Sequence, residues 1–520
     1  MRHLGRDWPA AALALAACIL IVPLWCVHSP AMPDYPAHIA GFGLIAAGSQ
    51  AAPLSTFYDV HWMLVPNLAS EIIVPALARV MGLETAAKLF LSVAVAMWVL
   101  GPAAIQRALL GKTDAAPLAG AFFAYNANFT WGFFNYYFAA GLCFVMFAAW
   151  IATARWRSYA TLAGFALAVL ALYICHLVAV FIFLAMIGCF EISQLWAEKT
   201  FDLKTAVRRA SSIALVFSPV AVAFLFFKPA GMASGELAFD FADTIGDRFG
   251  AAIQSYFSEP AYLLTGALAI LILAGLLYGK LRVHPAMKIL VIALAGLTLV
   301  APEWALGGWG VHLRLPGVLG AVLFASMELD FGRRLQSAAA GLLLLALAWN
   351  ASVLEQDWRT YDLQYGEFRA ALRDIPERSK LVTVLDANAM DTQTDQPYWH
   401  MAEFAILDRG GFTPLMFATK GQHIVQLRPP FGAIAAASAQ QGSPPDVSEL
   451  DDLAAGQSKD DTDIDEVFPY LKFFQCHFDE AVVIHGEGEP SPVPKFLTLR
   501  HAGSFFSLYD IHPTSICAKR

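Results

Sequence analysis

The chain has 520 residues, of which 58% are hydrophobic and 15% charged, and carries a formal net charge of −8. That apolar excess excludes an ordinary soluble globular protein, and an acidic balance without a basic stripe excludes nucleic acid as a partner. Apolar runs near the ~20 residues that cross a bilayer core of ~30 Å fill the chain up to about residue 354. Beyond that point the sequence is mixed, charged and punctuated by Pro. Two domains are therefore expected, 1–354 in the membrane and 355–520 folded in water.

From the N-terminus, Arg2 and Arg6 precede an apolar run over 9–28. A signal peptide has this shape, but the run is long and no small-x-small cleavage site ends it, so an uncleaved first span is expected. The next connection holds Pro33-Asp34-Tyr35-Pro36-Ala37-His38, and 39–50 reads as a short amphipathic helix with Pro36 suited to its first turn. Residues 63–82 look moderately apolar but carry Pro66, Asn67, Glu71, Pro75 and Arg79. An isolated charge at the bilayer centre costs ~2.5–3.5 kcal/mol, so this stretch is expected to lie at the membrane surface within a first outer loop, 29–84.

Further spans are expected near 85–105, 115–130, 134–153, 158–174, 177–195, 208–227, 260–279, 286–303, 314–329 and 336–354. This scheme requires a turn at Cys175-His176. It places Arg107 and Lys112, Arg155 and Arg157, the basic loops 199–209 and 280–288, and Arg333 with Arg334 on one side, which the positive-inside rule makes cytoplasmic. The total, about eleven spans, is odd. A polytopic α-helical protein of a bacterial inner membrane follows, N-terminus cytoplasmic and C-terminal domain periplasmic.

The C-terminal domain reads as a small α/β unit, with strand-like 381–385, 481–484 and 504–509, and helix-like 361–372 and 464–474. Residues 443–465 read as a polar loop. Five cysteines lie in or beside apolar runs, where thiols behave as small hydrophobes. Cys476 and Cys517 lie in the outer domain and are able to pair there. Tyr398-Trp399-His400 reads as a core cluster, with sugar stacking as the other use.

Ionisable groups at the outer edge of an apolar body are candidate functional residues. Asp34 is either a helix cap or a catalytic carboxylate. His176 is a turn residue or a ligand group. Arg314, in Trp309-Gly310-Val311-His312-Leu313-Arg314-Leu315-Pro316-Gly317, either snorkels to head groups or holds a phosphate with its planar fork. Asn135, in Trp131-Gly132-Phe133-Phe134-Asn135-Tyr136-Tyr137, and Glu71, with Asp59 and His61, complete the set.

In this order the pieces resemble a GT-C-type glycosyltransferase, such as the lipid A aminoarabinose transferase and the protein O-mannosyltransferases. Pro33-Asp34-Tyr35-Pro36-Ala37-His38 is similar to the family's first-loop acidic segment, and 66–82 to its second juxtamembrane helix. Arg314-Leu315-Pro316 resembles the basic residue before Leu-Pro that contacts a lipid-linked phosphate. His176 stands where relatives carry Lys or His. The first-loop motif has one acidic residue rather than a pair, and Asn135 stands where some relatives have Asp.

The resemblance implies transfer of a sugar from a polyprenyl-phosphate donor to a hydroxyl of a glycan, lipid or protein acceptor, with inversion. Asp34 is then the general base, Arg314 and His176 bind the donor phosphate, and Tyr35, His38, Asn135 and Glu71 bind substrate. No cofactor is implied, and with one acidic residue in the motif no metal is expected. Two other classes are a non-catalytic transporter or assembly subunit for surface polysaccharide, and a ligase-like transferase using a diphosphate-linked donor. The first calls for internal repeats, which are not evident, and the second for several outer arginines.

Overall fold

A computed structural model describes residues 8–48, 53–197, 202–226, 245–252, 275, 277–305, 308–390, 396–418, 422–429, 431, 444–457 and 470–519. The chain divides into two compact units. One comprises Met1–Cys26, Leu64–Ser70 and Lys88–Gln356; the other comprises Val27–Met63, Glu71–Ala87 and Asp357–Arg520. The residues that follow the first helix thus belong with the C-terminal residues.

The described residues of the first unit are mostly helical, with one short strand pair, Leu281–Val283 on Met327–Leu329. Among the described residues of the whole chain, six helices are long and apolar enough to cross a membrane: Trp8–Cys26, Leu83–Leu110, Phe134–Ala152, Leu177–Ala197, Leu203–Phe226 and Arg333–Asp374. Tyr159–Cys175, Pro285–Val300 and Val311–Ala325 are shorter apolar helices. The span expected at 260–279 lies outside the described residues except for its last few positions.

Three expected elements take a different form. Residues 115–130 are broken into Ala116–Gly120, a 3-10 turn Ala121–Ala124 and Ala127–Trp131. The break has a local cause, because the Asn126 side chain accepts from Asn128 N and caps the last piece. The helix expected at 361–372 is the end of one 39-residue helix, Arg333–Ala371, since no Pro interrupts it after 336–354. The stretch 63–82 holds only the helix Ala69–Leu77. Nine residues rise about 14 Å, under half of what a bilayer core requires.

Glu191 ties the end of the first unit that carries the basic loops. Arg157 Nη1 and Arg209 Nη1 approach its two oxygens at 3.0 and 2.6 Å, and Trp150 Nε1 donates to it at 2.9 Å. The Arg157 guanidinium lies 3.6 Å from the Trp150 ring centroid. A buried carboxylate is tolerable because two cations and an N–H surround it.

The second unit is built on a four-stranded mixed sheet with strand order Leu381–Leu385, Glu480–Ile484, Phe506–Ile511, Leu497–Ala502. The first pair is parallel and the others antiparallel. Leu381–Leu385 and Glu480–Ile484 are buried at every position, as continuous apolar runs covered on both faces should be. A short strand, Tyr58–Val60, pairs antiparallel with Val425–Leu427.

Helix Tyr35–Ala47 packs closely on helix Phe404–Arg409. A Cβ at Gly43 would stand 2.3 Å from Leu407 Cδ2, so any larger residue there would make the Leu407 side chain shift. Of the loop read at 443–465, residues 447–455 form two short helical turns started by an Asp446 capping box. Of 464–474, the described part is turn and 3-10 rather than α-helix.

Cys476 and Cys517 form a disulfide, with Cα atoms 5.3 Å apart and a sequence separation of 41. Closing a loop of that length removes denatured-state entropy worth about 4 kcal/mol in the chain-entropy description. Replacing both cysteines by serine is expected to lower the unfolding midpoint of the second unit, read by limited proteolysis on heating. An unchanged midpoint would mean the bridge contributes nothing.

Candidate functional site

In the second unit, Asp34 occupies the N-cap position of helix Tyr35–Ala47. Its backbone is α-like, φ −82° and ψ −9°, rather than extended as capping residues prefer, and its side chain makes no capping bond. Pro36, at the second helical position, has no N–H to offer. The carboxylate instead has Oδ1 3.8 Å from His400 Nε2.

His400 is buried and precedes the turn Met401–Glu403. Its Nδ1 lies 3.5 Å from Glu403 Oε1. Both separations are those of charge contacts rather than tight hydrogen bonds. Glu403 is fully buried, and Thr413 Oγ1 donates to it at 3.4 Å. Burial alone would push the His400 imidazole down. Glu403 and then Asp34 outweigh it, and the net shift is upward from the ordinary 6.5.

The neighbours of Asp34 have other tasks. The Tyr35 hydroxyl donates to Glu84, and burial, then Glu84, raises the phenol well above its ordinary value. Arg369 completes this brace, forking onto Asp408 with two bonds of 2.7 Å. The His38 ring stacks on Phe42 at 5.7 Å and meets Phe417 edge-on at 5.3 Å. His400 packs against the same Phe417 at 5.1 Å. Glu71 sits in the first turn of Ala69–Leu77, where the helix dipole favours a carboxylate. Asp59 takes Arg428 at 3.8 Å and His61 at 3.6 Å.

The first unit gathers the remaining candidates around Tyr136. Pro316 lies inside the helix Val311–Ala325 and interrupts its ladder. The carbonyls just before it take side-chain donors: Asn128 Nδ2 bonds Leu313 O at 2.9 Å, and the Tyr136 hydroxyl bonds Arg314 O. Gly317 leaves room beside Pro316, because a Cβ there would crowd the Asn126 side chain at 2.9 Å from its Nδ2.

These bonds hold Arg314 buried, its guanidinium 5.3 Å from the Phe133 ring centroid and 5.5 Å from that of Tyr136, within cation–π range. His176 sits in extended backbone between Tyr159–Cys175 and Leu177–Ala197, and meets Tyr136 edge-on at 5.3 Å. Val178 N donates to its Nδ1 at 3.2 Å, which assigns the ring proton of the neutral form to Nε2. Asn135 accepts from Ser70 N at 2.7 Å and donates to Asn67 O at 3.1 Å. The carbonyl of Ile174 takes Asn67 N and Leu68 N. Asn135 thus secures the segment 67–70 beside the His176 turn.

The structure therefore brings Asn135, His176 and Arg314 together in one unit, and Asp34, Tyr35 and His38 together in the other, where Glu71 also lies. Sequence reading missed the polar role of His400 and Glu403. It also missed Arg248, buried in the first unit and donating to Ala301 O at 2.9 Å. No local pattern marks the first two; Arg248 was discoverable as the one arginine among the acidic residues of 228–259.

No family model matches the chain, and no curated protein sequence matches it. Among solved structures, it is similar to the crystal structure of ArnT from Cupriavidus metallidurans bound to undecaprenyl phosphate. The TM-score is 0.47 at 11% identity, over 97% of this chain and 98% of that one. It is also similar to the cryo-EM structure of the arabinofuranosyltransferase AftD from Mycobacteria, with a TM-score of 0.46 at 15% identity. That likeness covers 98% of this chain, which spans only 40% of AftD. At such identities the roles of single side chains do not transfer.

Proposed function

We propose that the protein is a membrane glycosyltransferase of the GT-C type, moving a sugar from a polyprenyl-phosphate donor to a hydroxyl acceptor at the outer face of an inner membrane. The observation that carries this reading is Asp34, a partly buried carboxylate at a helix start that makes no capping bond and lies 3.8 Å from a buried histidine. Supporting it, Arg314 and His176 share one aromatic neighbour, Tyr136, in the helical unit. Buried ionisable groups there are functional by default. The Cys476–Cys517 bridge suits an oxidising compartment, in keeping with an outer C-terminal domain and about eleven spans.

In this reading Asp34 takes the proton of the acceptor hydroxyl as its oxygen attacks the anomeric carbon. The carbon–oxygen bond to the phosphate breaks on the opposite face, its electron pair leaving with the phosphate, and configuration inverts. Arg314 meets the growing charge with a planar fork, and His176 Nε2–H donates a hydrogen bond. Because the carrier phosphate already activates the sugar, the chemistry calls for no metal. His400 has its two carboxylates on opposite ring nitrogens, so they do not converge on one ion.

The test is stoichiometry. Full-length protein in lipid nanodiscs is given farnesyl-phosphoryl glucose, mannose and arabinose with membrane-extracted acceptors. Glycosylated acceptor and free farnesyl phosphate should form one for one. In sealed proteoliposomes of the same protein, donor carried intact to the inner leaflet without release of the phosphate would establish a transporter.

A further inference from the structure

Partly buried Asp34 and the buried His400 and Glu403 lie together in the second unit, and their arrangement has a consequence for the charge of the histidine. A neutral imidazole has a single N–H and can satisfy only one of its two carboxylate neighbours. It would also give the fully buried Glu403 carboxylate no countercharge from the ring, whereas an imidazolium supplies one. The charged and titratable groups around the trio fit this. From its own turn comes Glu403, and from the start of helix Tyr35–Ala47 comes Asp34. Near Glu403 stand the phenols of Tyr58 and Tyr470, both pushed upward by burial and so neutral. His423 stacks on Phe417, and burial brings it down to about 4, so it adds no charge. His38 touches the far side of the same ring system.

We propose that His400 is a positioning residue for Asp34: its imidazolium, backed by Glu403, turns the Asp34 carboxylate away from the helix end and presents it as the base. This rests on Asp34 being the base. The physical competition is local. A carboxylate at an N-cap gains by bonding the first amides of the helix. Here Pro36 withholds one of them, and His400 offers a charge in place of the other, Ala37 N–H. Glu403, with no solvent to serve it, keeps the ring protonated and oriented.

The decisive measurement titrates His400 in the full-length protein carrying ring-13C histidine, with its resonance assigned by its loss in His400→Gln. The midpoint should lie above 6.5, and Asp34→Asn and Glu403→Gln should each lower it. A midpoint unmoved by Asp34→Asn would overturn the proposal without any assay of transfer. The second measurement is a pH profile of farnesyl phosphate release. The imidazolium is present below its raised pKa and lost as pH rises through it, so wild-type turnover should fall on the alkaline side.

His400→Gln should lower kcat about tenfold, leave the donor KM unchanged and remove the alkaline limb; Glu403→Gln should move that limb to lower pH. Unchanged kcat and limb in His400→Gln, beside an inactive Asp34→Asn, would overturn the role of His400 alone. An active Asp34→Asn would overturn the base assignment beneath it.

Discussion

Asparagine in place of Asp34 is expected to lower sugar transfer by about 10²–10⁴, the usual span for a positioned general base, with the donor KM little changed. Asparagine keeps the size and the hydrogen-bonding oxygen of the side chain but cannot take a proton. Removing the charge also leaves His400 with Glu403 alone, which is why the same replacement should lower the histidine's titration midpoint. Glutamate at this position keeps the charge but adds a methylene at a close-packed helix start, where the adjoining Tyr35 is fully buried, so partial activity is expected. Single-turnover release of farnesyl phosphate in nanodiscs reads all three proteins. Turnover in Asp34→Asn within about threefold of wild type, far short of the loss expected for a general base, would remove Asp34 from the chemistry.

Alanine in place of Arg314 is expected to lower kcat/KM by about 10²–10³, as loss of a preorganised charge at a leaving group does. The effect should appear in both parameters, because the phosphate is charged before the bond breaks and more so afterwards. Lysine should recover only part of the loss. Arg314 is buried with its plane near Phe133 and Tyr136, and an ammonium neither stacks there nor forks onto two phosphate oxygens. Thermal midpoints of the variants separate lost chemistry from lost packing. Full activity in Arg314→Lys would show that the planar fork is not used, and full activity in Arg314→Ala would show that another group holds the phosphate.

Much of the helical unit was legible because hydrophobic periodicity is a local property. Trp8–Cys26 and Phe134–Ala152 follow directly from apolar runs, and the break at His176 from a polar residue between two of them. Residues 63–82, expected as a surface helix on account of Pro66 and their charges, form only the helix Ala69–Leu77. The break at Asn126 was not foreseen, since an apolar run conceals a cap that depends on one side chain turning back to its own backbone. The long helix Arg333–Ala371 was read as two elements because its composition changes from apolar to polar midway, a change of surroundings and not of conformation.

Composition thus determined by itself that this is a helical, membrane-type chain, and the order of motifs singled out Asp34, His176 and Arg314 as candidates. Only the tertiary structure decided what those residues touch. The residues around Asp34 belong with the C-terminal unit. Tyr398-Trp399-His400 is indeed packed, with Tyr398 stacked on Phe505 at 4.9 Å, yet its histidine faces a carboxylate from the other end of the chain. The physical reason is one of range. Helix-forming tendency and transfer to lipid act over a few neighbouring residues and leave a periodic trace. A charge contact between distant segments leaves none, because it depends on which surfaces pack.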